Sequence, residues 1–395
     1  MQVVSALKDI SLEEWEKKYI VSLVERFDRK NTMFNRIKWD PEIINLLEDW
    51  SIITNSPKDK PGHTLESVAL RLGSIAGTQL KLPNIQPPDL KSGNKKITGE
   101  ERIDTSNKEE STRIIKKAAR WFGADLVGIC KIDNRWFYTP TPGENNTSPQ
   151  EILQEYQYAV VLAFEMDYDL VSYFNTQISE SAVSIGYSRR AVTNAHLATF
   201  IRDLGFKAIP CGNDTALSIP MAMQAGLGDL GRNGLLITPE FGPRVRISKI
   251  ITDLPLLADN PINFGVTEFC TVCKKCAYKC PSRSIITGNR TAEANNKSNV
   301  AGELKWPVNA ETCRTYWSQR KMPCSSCIAT CPYNKPYTRF HRTARWLTDH
   351  VRWADPFYSK MDDLLGYGKP KNPNSFWEKW QPTNGYGGNF KNTQR

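Results

Sequence analysis

Eight of the ten cysteines lie between Cys270 and Cys331, and that crowding limits what this chain can be more than any other feature. The first four read Cys270-x2-Cys273-x2-Cys276-x3-Cys280-Pro281. This is the bacterial ferredoxin run: three close thiolates reach three irons of one cubane, and the fourth, after a turn, points to a second cluster. A second set, Cys313-x10-Cys324-x2-Cys327-x3-Cys331-Pro332, repeats the pattern with a widened first gap. By the same exchange of the fourth ligand, Cys270, Cys273, Cys276 and Cys331 form one 4Fe–4S quartet. Cys280, Cys313, Cys324 and Cys327 form the other. Zinc knuckles and disulfides are the competing readings. Clustering in a chain this large argues for metal over a disulfide framework, and two CxxCxxxCP runs argue for iron–sulfur over zinc. Cys130 and Cys211 are left over, and Cys130 ends an apolar run as a buried core thiol would.

Two clusters make an electron wire, which needs far fewer than 395 residues. The remainder must hold whatever the electrons are for. No apolar run approaches the length of about 20 residues that a spanning helix needs. Met1-Gln2-Val3-Val4-Ser5 passes straight into charged sequence, so no signal peptide is visible. The chain therefore reads as cytoplasmic or as a processed form. A formal charge of +10 favours an anionic partner. No nucleic-acid motif or long basic block accompanies it, so no nucleic acid is expected and surplus surface lysine explains the charge.

Four regions follow from pattern changes. Residues 1–105 are an N-terminal region, in which Ser11-Leu12-Glu13-Glu14 reads as a capped helix start. Polar, turn-rich sequence between Leu90 and Asn107 marks its end. Residues 106–264 read as an α/β core with a helix over Ser111–Phe122 and another over Thr193–Leu204. Strands are expected at Ala124–Cys130, Gln157–Phe164, Lys207–Pro210, Leu235–Thr238 and Val245–Thr252. Residues 265–338 carry the cysteines, with a polar loop over 288–310. Residues 339–395 form a C-terminal extension, rich in aromatics such as Trp353, Phe357, Trp377 and Trp380, that should pack on the core.

From about Ala118 to Pro332 the chain resembles the corrinoid-dependent reductive dehalogenases. The resemblance rests on Trp121-Phe122-Gly123-Ala124-Asp125-Leu126-Val127-Gly128, Phe164-Glu165-Met166-Asp167-Tyr168 and Gly186-Tyr187-Ser188. It continues through Gly226-Leu227-Gly228-Asp229-Leu230-Gly231-Arg232-Asn233-Gly234 and Thr238-Pro239-Glu240-Phe241-Gly242-Pro243-Arg244-Val245-Arg246. Glu268-Phe269-Cys270 and the two cysteine motifs close it, in that order. The resemblance implies an α+β protein: a nitroreductase-like, cobamide-binding α/β core followed by a ferredoxin-like domain with two 4Fe–4S clusters. The implied reaction replaces carbon–halogen by carbon–hydrogen with Co(I), two electrons and one proton. None of His63, His196, His341 and His350 stands in an Asp-x-His-x-x-Gly setting, so the cobamide is expected base-off with no histidine below it.

The resemblance also assigns roles. Tyr187 matches the proton-donating tyrosine; a free phenol is a poor acid at neutral pH, and a neighbouring cation stabilises its anion. Arg246 matches that cation and can attract departing halide. Asn213 matches a polar residue near the substrate. Gly226, Gly228 and Gly231 spell GxGxxG, a weak Rossmann signal by itself; the resemblance instead gives them close approach to the corrinoid's nucleotide loop, and a plain tight turn is the alternative. Arg244 competes with Arg246, one for a cobamide phosphate and the other for the tyrosine. Trp317 walls an apolar substrate pocket or shields a cluster. The implied partners are a small apolar organohalide, a low-potential electron donor and a small membrane anchor, with the protein on the outer face of the cytoplasmic membrane as a terminal reductase of organohalide respiration. Two other readings remain: an epoxyqueuosine reductase-like enzyme acting on tRNA, and a non-catalytic iron–sulfur subunit. The family's twin-arginine leader is missing and Arg189-Arg190 is internal, unrelated to export.

Overall fold

The structure is a computed structural model, and it describes residues 8–46, 60–79, 102–139, 155–336 and 338–378. The expected boundary between Leu90 and Asn107 falls largely outside these residues, as does Trp380. At its centre is a four-stranded sheet of β1 (Leu126–Lys131), β2 (Tyr158–Glu165), β3 (Ala208–Cys211) and β4 (Val245–Thr252). The order is β1-β2-β4-β3, and all three pairings are antiparallel. The apolar strand runs by themselves suggested an α/β core. Both faces of this sheet are covered, and a strand buried on both faces reads the same whether its neighbours are parallel or antiparallel.

Strand alternation divides the core in two. Ala159, Val161 and Ala163 of β2 join one apolar cluster; Tyr158, Val160, Leu162 and Phe164 join the other. Fully burying a side chain such as Leu162 or Phe164 contributes about 1.5–3 kcal/mol. The first cluster is closed by α1 (Leu12–Tyr19), whose Trp15 meets Trp136 edge-on with ring centres 6.2 Å apart. Ser11 caps α1 in a reciprocal capping box with Glu14. The N-terminal region is thus part of the core. The second cluster is closed by α3 (Lys108–Trp121) and the C-terminal half of α4 (Gln177–Asp203), after α2 (Leu65–Ile75) in the chain.

Helix α4 has 27 residues, about 40 Å at 1.5 Å per residue. Only its second half was legible as a helix. The first half, with Ser179, Ser181, Ser184, Gly186 and Ser188, lacks apolar periodicity because small polar residues are buried all round it. Ile178, Ala182 and Val183 pack there against Ile328 and Ala329 of the cysteine region. Arg189 fastens the middle of the helix to the sheet, pairing with Asp125 at 2.9 Å and donating to the Glu165 carbonyl at 3.2 Å. One helix therefore bridges the sheet and the cysteines.

In the cysteine region α5 (Val266–Cys273) and α6 (Ala310–Arg320) are joined by irregular chain through 288–310. The extension supplies α7 (Arg339–His350) and α8 (Asp355–Leu364). Lys275 pairs with Asp362 and Asp363, and Lys335 with Asp362, so the extension is fastened to the cysteine region. It reaches the core as well, through Lys371–Asp169 at 2.8 Å and Phe376 against Tyr173. Trp353 is 85% exposed, against the expectation for its aromatics. No helix among the described residues is long and apolar enough to cross a membrane.

Candidate functional site

The fold gathers the eight clustered cysteines, and Cys280, Cys313, Cys324 and Cys327 share one cavity wall. Burial pushes the Cys276 thiol up, and Cys331, Cys270, Cys327 and Cys273 around it add to the push. Cys331 is pushed up to about 12, by burial and then by Cys273 among its neighbours. In the second group, burial followed by Cys324 and Cys280 pushes Cys313 up to about 12. Cys327 is raised by burial and by Cys324, Cys313 and Cys280. Crowded, buried thiols of this kind need a cationic centre to hold them as thiolates. All ten cysteines are free of disulfides. Among the described residues no three such side chains converge as one metal ion requires. The donor set fits two cubanes.

The protein also supports the quartets from outside. Arg232, 2% exposed, donates to the carbonyls of Cys270, Ile286 and Gly288 at 2.8–2.9 Å and lies over Trp306. The Ser284 amide donates to Cys280 Sγ at 3.3 Å.

A cavity of about 590 Å³ opens between the first half of α4, β4 and the cysteine region. All four cysteines of the second quartet, Cys280, Cys313, Cys324 and Cys327, are on its wall, together with Tyr187, Arg246 and Trp317. Two guanidinium groups lie near the Tyr187 ring: Arg190 is 4.7 Å and Arg246 5.1 Å from its centre. Gly186 makes this possible, since a Cβ there would stand 2.9 Å from Arg246 Cγ. Arg246 Nε and Trp317 Nε1 are buried with no hydrogen-bond partner among the described residues. Orphaned donors on a cavity wall ask for a ligand that brings acceptors, and a cofactor edged with amides and a phosphate fits that demand. Volume and apolar lining are those of a ligand site.

Five other expected site residues lie elsewhere. Asn213 is exposed and accepts from Ser218 Oγ at 3.5 Å; it is not on this wall. Arg244, 1% exposed, pairs with Glu165 and donates to the Met166 and Lys335 carbonyls, tying sheet to cysteine region. Its neighbour two positions on, Arg246, has different partners altogether. A Cβ on Gly228 would meet the Ile237 carbonyl oxygen at 2.2 Å, and one on Gly226 the Asn260 oxygen at 2.6 Å. A Cβ on Gly231 would stand 2.8 Å from Asn233 Oδ1. The space beside these glycines is filled by the chain itself, as the tight turn into the Asp229–Leu230 and Leu236–Ile237 hairpin requires.

Sequence reasoning missed Glu180, Arg71 and Arg314, which are also on the cavity wall, and Arg190 beside Tyr187. Glu180 shares a face of α4 with Tyr187, two turns away, so the helical spacing was there to be read once the helix was known. Burial pushes Glu180 up to about 6, with Arg71 and Arg246 pulling the other way. None of His63, His196, His341 and His350 is on this wall. His196 stacks on Phe122 and His341 bonds Tyr367 at 2.9 Å.

No family model matches the chain. It is 37% identical over 302 residues to a tetrachloroethene reductive dehalogenase of Sulfurospirillum multivorans, covering 70% of this chain and 60% of that protein. It is 38% identical over 307 residues to another from Desulfitobacterium hafniense, covering 68% of this chain and 56% of that one. Among solved structures, a reductive dehalogenase described for B12-dependent dehalogenation matches with a TM-score of 0.70 and 25% identity, over 92% of this chain and 49% of that one. An epoxyqueuosine reductase of Lactococcus garvieae is 28% identical over 30% of this chain. The chain spans about 60% or less of the curated dehalogenases named here.

Proposed function

The chain belongs to the reductive dehalogenase family, and on that premise we propose that it replaces a carbon–halogen bond of a small apolar organohalide by carbon–hydrogen. The balance is R–X + 2 e⁻ + H⁺ → R–H + X⁻. One observation carries the reading: Tyr187 and Arg246 share a cavity with the four cysteines of the inner quartet. When bound, two 4Fe–4S clusters supply electrons one at a time and a cobamide supplies the low-valent cobalt that breaks the carbon–halogen bond. Cys280, Cys313, Cys324 and Cys327, on the cavity wall, would hold one cluster, and Cys270, Cys273, Cys276 and Cys331 the other. Arg246 and Trp317 offer donors to the cobamide or its substrate.

The chain's own contribution is proton delivery and enclosure. The Tyr187 hydroxyl gives its proton to the substrate carbon. Arg246 and Arg190, both close to the ring, stabilise the tyrosinate that remains. Arg246 also draws the halide. Val183, Leu235 and Trp317 supply the apolar wall. A low-potential donor feeds the quartet of Cys270, Cys273, Cys276 and Cys331, and the protein docks through a small anchor on the outer face of the cytoplasmic membrane; fractionation of the native host checks that placement.

The test is anaerobic reconstitution with iron, sulfide and cobamide, then halide release from chlorinated ethenes, ethanes and phenols with a reduced viologen. About eight irons and one cobalt per chain are expected. Fully loaded protein that releases no halide from any of them would refute the proposal.

A further inference from the structure

The cavity holds a second acid besides the tyrosine. Glu180 is 8% exposed and on the same wall. It precedes Tyr187 by seven residues on α4, so the two share a helix face about 10 Å apart along the axis. Val183, between them, lines the same cavity. Among the described residues nothing hydrogen-bonds the Glu180 carboxyl. The charged groups facing it are Arg71 from α2 and Arg246 from β4, and the inner cysteine quartet lines the cavity farther along. Arg246 interacts with both acids: its guanidinium lies 5.1 Å from the Tyr187 ring centre and electrostatically favours the Glu180 carboxylate.

A buried carboxyl without a hydrogen-bond partner is costly. A structural ion pair would place it against an arginine, yet Arg71 donates instead to Gln177 Oε1 at 3.4 Å. Proton exchange accounts for the arrangement. Each turnover leaves Tyr187 as tyrosinate, and a tyrosinate enclosed by apolar walls must be reprotonated before the next.

We propose that Glu180 reloads the proton-donating tyrosine, passing a proton to Tyr187 through water in the cavity and recovering one from solvent. This deepens the proposed function and rests on it. In the step, the Glu180 O–H bond breaks and the Tyr187 O–H bond forms; the carboxylate left behind then binds a solvent proton. No electrons move. Arg246 favours both anions, so the charge passes along a path that it stabilises throughout. An acid titrating about 6 suits this exchange near neutrality.

The relay separates the first turnover from later ones. Reduced, fully loaded Glu180→Gln protein is mixed with organohalide and quenched rapidly, and halide is counted per enzyme. The first turnover should stay within about two-fold of wild type, because the first proton needs no reloading, whereas the steady-state rate should fall by about 10²-fold. Glu180→Asp should recover part of that rate. Independently of activity, a carboxyl infrared band that titrates near pH 6 in wild type should be missing from Glu180→Gln. Unchanged steady turnover in Glu180→Gln would overturn the relay. Equal slowing of the first and later turnovers would also overturn it, leaving Glu180 as a positioning residue for Arg246. Wild-type protein that releases no first-turnover halide would instead end the functional reading, and the relay with it.

Discussion

In the sheet, every residue of β2 is buried, and its alternate side chains feed two large apolar clusters. In the cysteine region the apolar clusters shrink: one comprises Ile237, Phe264, Val266, Phe269, Cys331 and Tyr333, and the other only Cys276, Ala277 and Ile285. The helices carrying Cys276 and Cys327 have four residues each, too short to persist alone. Ligand cysteines are themselves part of these small cores. The sheet is thus held by hydrophobic burial, and the cysteine region by burial plus whatever the thiolates bind. The cavity sits where the two meet, with Tyr187 and Arg246 from the sheet side and Cys280, Cys313, Cys324 and Cys327 from the cysteine region on its wall.

Removing iron gives the largest effect expected from this contrast. Anaerobic chelation of the protein should strip hydrogen-exchange protection from residues 265–335 while β2 and β4 stay protected. Equal loss in both regions would mean that they fold as one unit and that the contrast is wrong. Next comes Tyr187→Phe, which keeps the ring but deletes the hydroxyl. Halide release should fall by about 10²–10⁴-fold with iron and cobalt content unchanged. Arg246→Lys should be milder, since a charge remains while the planar fork is lost. Wild-type rates in Tyr187→Phe would show that water protonates the product.

A third prediction sharpens the reading of the glycine turn. Gly228→Ala would drive a methyl into the Ile237 carbonyl and should cost about 3 kcal/mol in denaturant unfolding. If it instead lowers cobamide binding at unchanged stability, the glycines face the cofactor. The smallest effect concerns Glu180. Its carboxyl titrates about 6 when folded and at its ordinary 4.5 when unfolded. The unfolded chain therefore ionises first, and stability falls as pH rises from 4.5 through 6, by about 2 kcal/mol in all. Glutamine is neutral throughout, so Glu180→Gln should be about 2 kcal/mol more stable than wild type above pH 7, the gap closing toward pH 4.5. A gap independent of pH would contradict the burial of this carboxyl.

The cysteine motifs were legible because their information is local: the residues between the cysteines fix how far each thiolate can reach. The Val245–Thr252 strand and the Ser11 cap were legible for the same reason, since apolar runs and caps act over a few neighbours. The first half of α4 was not legible, because its buried serines and Gly186 suit a helix only once α2 and the cysteine region cover them. Arg244 and Arg246 look interchangeable in the chain, yet one is spent on Glu165 while the other faces Tyr187. Residue type and spacing alone thus pointed to two iron–sulfur clusters and to a division of the eight cysteines between them. Only the tertiary structure decided which quartet borders the tyrosine, and that Glu180 and Arg71 join it, because contacts between residues so distant in sequence are set by how a bridging helix packs and leave no local pattern behind.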